Sequence, residues 1–454
     1  MNPNPNAGLR SAETRRSFLR KAAGAAAALS ASGLFKTPLY GQNQAPSTGR
    51  VPGANDRIRV AYVGTGHQGM THVRLQKQFA SANNIAQVAV CDLYQKHLEQ
   101  ARSFLSLTAT EAFRDHRKLL ERKDIDAVVI STVDNWHAQV SLDALEAGKH
   151  VFCEKPMSRY LEEAFAVYDK VKQSGRTFVI GSQGCMDPKW QKAAEWIKAG
   201  KLGPLVWGQG SYCRNNRNNS EWTYPVDPEA NEQNLDWNRW LGRAPKIPFD
   251  PEHYFCWHKY YAYNSGIIGN LLPHRFQPLM LATGNPEFPR RVVCTGTRKV
   301  STDREITDTT HLLAEFPSGL TLVVAGSTVN EQGLPDMLRG HKATLHFASS
   351  QNRVELKPEA IFADDIEAEE FSDPRPAERI EVLEKNFFDC IRDGKTPVAN
   401  IELALRAQTV LSLAEMSERL GLALFFDEKT RTLKSGDGRV VPPLSYDTVV
   451  PKLG

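Results

Sequence analysis

Cysteine is scarce and scattered in this chain of 454 residues, and no two cysteines form a CxxC pair. The seven thiols stand at Cys91, Cys153, Cys185, Cys213, Cys256, Cys294 and Cys390. An odd number of cysteines without paired spacing argues against a disulfide framework and against the common zinc motifs. We therefore expect mostly buried free thiols and predict no metal site.

The chain also lacks a large net charge and, after residue 36, a long apolar run. The formal net charge is +4, and the first 36 residues hold six basic residues against one acidic residue, which leaves about −1 for the rest. Bulk charge therefore gives no reason to expect nucleic acid or an anionic membrane as a partner. After residue 36, no apolar run reaches the roughly 20 residues that a membrane-spanning helix needs.

The first 36 residues have the features of an export signal. Two adjacent arginines, Arg15 and Arg16, precede an Ala-rich apolar stretch of about fourteen residues, 22–35. This order predicts a twin-arginine signal peptide at residues 1–36 and a linker at residues 37–56. The expected partner is the twin-arginine translocase, and the expected location is periplasmic or otherwise extracytoplasmic. An uncleaved membrane anchor and a buried N-terminal helix stay open as alternatives.

From residue 57 onward, short apolar runs alternate with longer amphipathic stretches. The β-branched run Ile58–Val63 predicts a buried strand, and residues 71–80 and 140–147 predict helices. Strands that alternate with helices at this spacing form a parallel, doubly wound sheet. The fold class is therefore α/β, with a Rossmann dinucleotide-binding domain at residues 57–180.

The second part of the chain, residues 181–454, has more strand-like than helical segments. Its predicted strands include residues 291–297 and 321–327, and two helices return within residues 379–420. This pattern predicts an α+β substrate-binding domain with a large mixed or antiparallel sheet. Two domains are also expected because about 400 residues are too many for a single core.

A glycine-rich turn follows the first predicted strand at once, with Gly64, Gly66 and Gly69 in a GxGxxG pattern. In such a turn, the first glycine permits a tight bend and the second lets the backbone approach a pyrophosphate. The third glycine lets the following helix pack on the strand. The cofactor-binding residues predicted in this turn are Gly64, Gly66, His67, Gln68 and Gly69.

Charged residues at two later strand ends extend this predicted site. Asp92 lies 23 residues after Gly69, where a carboxylate accepts the ribose hydroxyls of NAD and repels the 2′-phosphate of NADP. NAD is therefore the expected cofactor, in preference to NADP. Glu154, Lys155 and Pro156 close a later strand. We expect a buried ion pair there, in which Lys155 donates to a substrate hydroxyl oxygen.

The chain resembles the Gfo/Idh/MocA family, which includes glucose–fructose oxidoreductase and inositol dehydrogenase, over nearly all of residues 57–420. The resemblance rests on the glycine turn, on the segment 131–137 with the sequence STVDNWH, and on the Glu-Lys-Pro turn. It implies a bound NAD and a sugar or polyol substrate. It also implicates five residues in cofactor binding, namely Thr132, Asn135, His137, Glu154 and Lys155.

The family's last motif is altered in this chain. The usual pattern is a Gly-rich turn, an aspartate and, four residues later, a histidine on the same helix face. His274 matches the family's general acid–base, and an imidazole suits that task near neutral pH. Asn270 replaces the aspartate and can hydrogen-bond a sugar hydroxyl, but it takes no proton. We predict Lys155 and His274 as catalytic residues and Asn270 as a substrate-binding residue.

Three functions stay open. The first is an exported sugar or polyol oxidoreductase, in which Lys155 polarises a hydroxyl, His274 takes its proton, and a tightly bound NAD is recycled in place. The second is a redox-neutral glycosidase that works by oxidation, elimination, hydration and reduction. The third is a non-catalytic sugar-binding protein. Aromatic residues within 214–240 and 257–261 either line a carbohydrate pocket or only pack. The resemblance also implies a homo-oligomer.

Overall fold

A computed structural model describes residues 57–217, 221–348 and 350–448, and the predicted export signal lies outside these ranges. The strands of the first domain are β1 Ile58–Val63, β2 Ile85–Cys91, β3 Ala112–Phe113, β4 Ala127–Ile130, β5 His150–Glu154 and β6 Phe178–Gly181. They form one sheet in the order β3-β2-β1-β4-β5-β6, in which all neighbouring strands are parallel. The carboxyl ends of these strands therefore share one edge.

Two helices of this domain begin earlier than the apolar pattern predicts. They are α1 His67–Gln78, α2 Gln95–Leu105, α3 His116–Leu120, α4 Asp134–Glu146 and α5 Leu161–Ser174. The first predicted start, residue 71, is wrong because Gly66 is already the N-cap of α1. The second, residue 140, is wrong because α4 opens with polar residues, including Asp134 in its first turn. Such a turn carries little apolar periodicity, although an acidic residue there favours the helix.

The second domain is built on a ten-stranded sheet. Its helices are α6 Pro188–Lys198, α7 Trp237–Leu241, α8 Pro251–Phe255, α9 Ile267–Asn270, α10 Pro273–Ala282, α11 Ile380–Asp393 and α12 Ile401–Leu420. Its strands are β7 Leu205–Cys213, β8 Arg291–Thr297, β9 Thr309–Glu315, β10 Thr321–Ser327, β11 Met337–Gly340, β12 Ala343–Phe347, β13 Gln351–Pro358, β14 Glu369–Pro376, β15 Leu424–Asp427 and β16 Thr432–Ser435.

The order of this second sheet is β14-β13-β12-β11-β7-β10-β9-β8-β15-β16. The pair β7 and β10 is parallel, and the other neighbours are antiparallel. The predicted fold class, a parallel Rossmann sheet followed by a large mixed sheet, is confirmed. All seven cysteines are free, and all except the half-buried Cys213 are buried. No helix among the described residues is long and apolar enough to cross a membrane.

Helix α12 joins the two domains because it packs on β8 of the second sheet and on α5 of the first domain. It is buried around most of its circumference, as expected of a helix that lies inside a core. Its Glu415 accepts two hydrogen bonds from the Arg159 guanidinium, at 2.6 and 2.7 Å. Both side chains are almost completely buried, and this pair holds the Glu154–Lys155 end of β5 against the second domain.

Candidate active site

A cavity of about 520 Å³ opens at the carboxyl edge of the first sheet, a volume within the range of ligand pockets. Both domains line it. The predicted site residues that line it are Gly64, Gly66, His67, Gln68, Asp92, Thr132, His137, Glu154, Lys155, Asn270 and His274. Gly69 and Asn135 are not in its wall. Gly69 lies under the turn, where a Cβ would stand 2.0 Å from the Gly64 carbonyl oxygen.

The glycine turn leaves space for a phosphate beside Gly66 but none beside Gly64. Gly64 has a φ of +84°, and a Cβ there would stand 2.6 Å from the Ser131 carbonyl oxygen. At Gly66, a Cβ would meet only the His97 ring, at 3.7 Å. The space beside Gly66 faces the start of α1, whose first amides lack intrahelical partners and favour an anion. The turn therefore fits the pyrophosphate of a dinucleotide.

Asp92 anchors the turns around the same edge. Its Oδ2 accepts a hydrogen bond from the Thr65 amide at 2.7 Å, and its Oδ1 accepts one from the Tyr94 amide at 2.8 Å. The carboxylate lines the cavity and is 7% exposed. Each oxygen keeps further acceptor capacity, so the position suits the ribose hydroxyls of a dinucleotide.

The segment after β4 differs from its predicted role at one residue. Asn135 turns away from the cavity, and its Nδ2 donates to the Leu241 carbonyl at 3.4 Å. His137 lines the cavity, but its ring nitrogens lie 2.6 Å from the Pro156 carbonyl oxygen and 3.0 Å from that of Thr132. His137 therefore ties the Glu-Lys-Pro turn to the end of β4.

Glu154 and Lys155 do not form the direct ion pair that the sequence predicts. Instead, Glu154 Oε1 lies 2.9 Å from His72 Nε2, and Gln68 Nε2 donates to it at 2.9 Å. His72 Nδ1 lies 2.7 Å from Glu384 Oε1 on α11. The prediction is wrong because the buried carboxylates of Glu154 and Glu384 both contact the buried imidazole of His72, which takes the place of Lys155 as the partner of Glu154.

The charges of this triad stabilise one another. Burial alone would lower the pKa of His72, but hydrogen bonds to Glu154 and Glu384 raise it to about 10. Burial alone would raise the pKa of Glu154, but the same histidine holds it well below its usual value. A buried charge needs such pairing. The imidazolium therefore links the first domain to α11 while Glu154 stays ionised beside the cavity.

Lys155 reaches across to the second domain. Its Nζ donates to the Asn270 backbone carbonyl at 2.9 Å. That carbonyl is free because Pro273 starts a new helix and the His274 amide bonds to Leu271 instead. The prediction that Asn270 and His274 share one helix face is therefore wrong, since they lie on α9 and α10. Burial lowers the pKa of Lys155, and the charges of Glu154 and Asp134 oppose this effect.

The side chains of Asn270 and His274 have different surroundings. Asn270 Nδ2 is occupied, since it donates to Asn264 Oδ1 at 3.3 Å and to the Gly266 carbonyl at 3.2 Å. The His274 ring stacks on Tyr212 at 4.9 Å. Burial and the charge of Lys155 hold the pKa of His274 well below its usual value. His274 is therefore an uncharged imidazole at neutral pH, able to accept a proton.

The aromatic segment both packs and lines the cavity. Trp237 and Trp240 stack on each other at 4.8 Å inside a separate apolar cluster. Trp240 also lines the cavity, as do Trp222 and Tyr224. Further lining residues that the sequence did not single out for the site are Asp134 and Arg214. Asp134 stands within the segment 131–137, but only the fold shows that it lines the cavity.

Residues 231–242, called the strap, lie across the first domain beside Asp92. Hydrogen bonds join the strap to that domain from Gln95 N to Asn234 O at 2.8 Å, from Asp236 N to Leu93 O at 3.1 Å, and from Trp136 Nε1 to Trp240 O at 2.7 Å. Tyr254, shortly after the strap, contacts His97 at 3.3 Å. The second domain therefore covers the side of the cavity where the predicted ribose site lies.

Family comparisons agree with this architecture. The family described as an oxidoreductase family with an NAD-binding Rossmann fold matches residues 58–182. Its C-terminal alpha/beta domain matches residues 221–439. Together they cover most of the chain. The prediction that the first domain binds NAD is thereby confirmed.

Curated relatives include a glycosyl hydrolase family 109 protein of Shewanella baltica, 30% identical over 212 residues, which are 44% of this chain and 45% of the relative. An alpha-N-acetylgalactosaminidase of Shewanella oneidensis is 28% identical over 162 residues, 34% of this chain and 35% of the relative. The chain thus aligns with less than half the length of these relatives.

Solved structures share the fold at low identity. A levoglucosan dehydrogenase in complex with NADH matches with a TM-score of 0.61 and 18% identity, over 80% of this chain and 98% of that one. An aldose–aldose oxidoreductase from Caulobacter crescentus matches with a TM-score of 0.60 and 19% identity, over 82% and 100% of the two chains.

Replacing Gly66 by alanine should remove the cofactor and spare the fold. The added methyl group has ordinary contacts in the protein, but it occupies the space for the pyrophosphate. We expect bound NAD per protein to fall at least about tenfold, with an unchanged far-UV circular dichroism spectrum. Gly436→Ala, where a Cβ meets nothing, is the control. Full NAD content in Gly66→Ala would show that the turn holds no phosphate.

The His72 triad predicts that the free energy of unfolding decreases at alkaline pH. The folded pKa of about 10 exceeds the unfolded value of about 6.5, so the stabilisation is complete below about pH 6.5 and is lost as the pH rises through about 10. His72→Gln should be less stable at neutral pH and should lose less stability in this range. Urea unfolding across the range measures this, with substitution of the exposed β9 residue, His311→Gln, as the control. Equal slopes for wild type and His72→Gln would contradict a charged His72.

Proposed function

The chain belongs to the Gfo/Idh/MocA oxidoreductase family, and on this premise we propose that it oxidises a ring hydroxyl of a carbohydrate with NAD retained in the first domain. The observation that carries the proposal is one cavity in which the glycine turn of the first domain faces Lys155 and His274. When bound, NAD supplies the acceptor for the hydride that leaves the carbinol carbon.

Lys155 and His274 divide the work on the hydroxyl group. The Lys155 ammonium donates to the hydroxyl oxygen and stabilises the negative charge that develops on it. One of its protons is already engaged by the Asn270 carbonyl, which fixes the direction of the ammonium. The uncharged His274 imidazole accepts the hydroxyl proton.

The strap supports a cofactor that stays bound through many turnovers. It crosses the ribose side of the cavity and is hydrogen-bonded to the first domain at both of its ends. Dissociation would therefore require breaking contacts between the domains. A retained cofactor implies that a second substrate is reduced in the same cavity, such as another sugar.

Glycoside cleavage is the second candidate function. The curated relatives carry the names of glycosyl hydrolases, including an alpha-N-acetylgalactosaminidase. Oxidation of a ring hydroxyl acidifies the neighbouring C–H, which allows the glycosidic oxygen to leave before water adds. This reaction is redox-neutral overall, so it also suits a retained cofactor.

Purified protein with no added cofactor tests these functions. Denaturation should release about one NAD per chain, because the strap prevents its loss. A native sample is then incubated with sugars as donor and acceptor pairs and with nitrophenyl glycosides. Oxidised and reduced sugars support the first candidate, and released nitrophenol supports the second.

Lys155→Met is the matched variant for this experiment, since it keeps the length of the side chain and removes the ammonium. It should retain NAD and lose at least about a hundredfold in rate. If NAD-containing wild type turns over neither class of substrate, and the Lys155→Met variant binds a sugar as tightly as wild type does, the chain is a binding protein. A protein that releases no dinucleotide would refute the retained cofactor.

We also propose export through the twin-arginine pathway, on the order of residues in the segment 1–36. This pathway carries folded proteins, so the cofactor would be acquired before export. Replacing both Arg15 and Arg16 by lysine should leave folded, NAD-containing protein in the cytoplasm of the producing cells. Cell fractionation followed by immunoblotting measures this. Normal export of the double variant would overturn the proposal.

A further inference from the structure

His258, one of several histidines that line the cavity, lies between two indole rings. His258 stacks on Trp257 at 3.7 Å with an interplanar angle of 25°, and it lies parallel to Trp222 at 5.8 Å and 5°. Tyr224 approaches the same ring at 5.8 Å. All four side chains line the cavity that holds Lys155. The imidazole is therefore fixed in orientation at the wall of the cavity.

The chain maintains this stack against a local backbone preference. Trp222 has a φ of +60°, in the left-handed region that bulky residues rarely adopt. The preceding residue, Glu221, is clamped by Arg214 through its side chain at 2.8 Å and by Arg304 through its carbonyl at 2.7 Å. Strained residues that surrounding contacts enforce concentrate at functional sites. The contacts of Glu221 thus hold Trp222 in place beside the His258 ring.

The nitrogen atoms of His258 have no protein partner among the described residues. Nδ1 is buried without a hydrogen bond, and no described residue bonds to Nε2. Burial and the charges of Lys155 and Arg214 hold the pKa of His258 well below its usual value, so the ring is uncharged. A buried polar group without a partner is costly, which is explained if a substrate supplies the missing partner.

Glycoside cleavage needs a proton acceptor that oxidation has not already used. His274 takes the hydroxyl proton in the first step, so it cannot accept a second proton until it has released the first. Asp134 is a competing candidate, because it lines the same cavity and burial raises its pKa to about 7, so the experiment below has to separate it from His258. His258 is uncharged and lines the same cavity. It is therefore an available base for the next step.

We propose that His258 is a catalytic residue that moves a proton from the sugar carbon C2 to the departing glycosidic oxygen. The proposal rests on glycoside cleavage, the second candidate function above. With a ketone at C3, His258 takes the C2 proton, the C1–C2 double bond forms, and the C1–O bond breaks with its electron pair going to oxygen. The protonated His258 then gives this proton to the oxygen. Water adds its hydroxyl to C1 and its proton to C2, and the hydride first removed from C3 is returned to it.

A substrate that is already oxidised isolates this step. A nitrophenyl glycoside with a ketone at C3 needs no hydride transfer, so nitrophenol release reports elimination alone, after subtraction of the rate without protein. We expect His258→Ala to lower this release about a hundredfold or more while keeping its NAD content. Added imidazole should restore part of the rate, because the variant leaves a slot between Trp222 and Trp257 that accepts it.

His253→Ala is the matched control. His253 also stacks on an aromatic ring, Tyr260 at 3.6 Å, but it does not line the cavity. This variant should release nitrophenol at nearly the wild-type rate. Asp134→Asn tests the competing base. Loss of nitrophenol release in this variant, with full release in His258→Ala, would assign the step to Asp134 and overturn the inference.

The outcomes separate the inference from the function beneath it. Release by wild type but not by His258→Ala, with rescue by imidazole, supports His258 as the proton carrier. Release by His258→Ala at the wild-type rate overturns the inference and leaves the glycosidase candidate standing. Loss of release without rescue, together with lost NAD, indicates a structural role and overturns it as well. No release by NAD-containing wild type overturns both the inference and the glycosidase candidate.

Discussion

The arrangement of the site depends on how two neighbouring charges, Glu154 and Lys155, are buried at the end of one strand. A buried charge is tolerated only with close partners, and each of these groups has its own. Glu154 lies against His72, which also contacts Glu384. Lys155 donates to the carbonyl of Asn270. These contacts reach α11 and α9, so satisfying two charges in the first domain also fixes the second domain above the cavity.

The sequence predicts the local elements well and the partners poorly. Strand β1, the glycine turn and helix α12 follow from apolar period and glycine spacing, which depend on residues close together in the chain. The partners of Glu154 do not. Glu384 lies 312 residues from His72, and nothing in the periodicity of either segment connects them. The wrong ion pair between Glu154 and Lys155 arose because adjacent opposite charges are the only partners that a sequence reveals.

Residue type alone likewise does not decide whether an aromatic or amide residue packs against other segments or serves the site. Trp222 and Trp240 come from one segment and both line the cavity, but Trp240 packs in the separate apolar cluster while Trp222 packs on the main core and stacks on His258. An indole has the same apolar face in either setting. Asn135 likewise follows the expected motif but bonds to Leu241. Such choices depend on which segment covers which edge, and this is decided by the tertiary fold.

The charges of the cavity affect the base and the acid of the proposed chemistry together. Burial and then the charge of Lys155 lower the pKa of both His258 and His274, which makes each imidazole uncharged but also a weaker base. The same ammonium stabilises an oxyanion that forms beside it, which makes a substrate hydroxyl a stronger acid. The two effects offset each other in the proton transfer. A lysine that weakens its neighbouring histidines is therefore compatible with their acting as bases, provided that the lysine contacts the oxygen on which negative charge develops, which is the hydroxyl oxygen for His274 and the C3 ketone oxygen for His258.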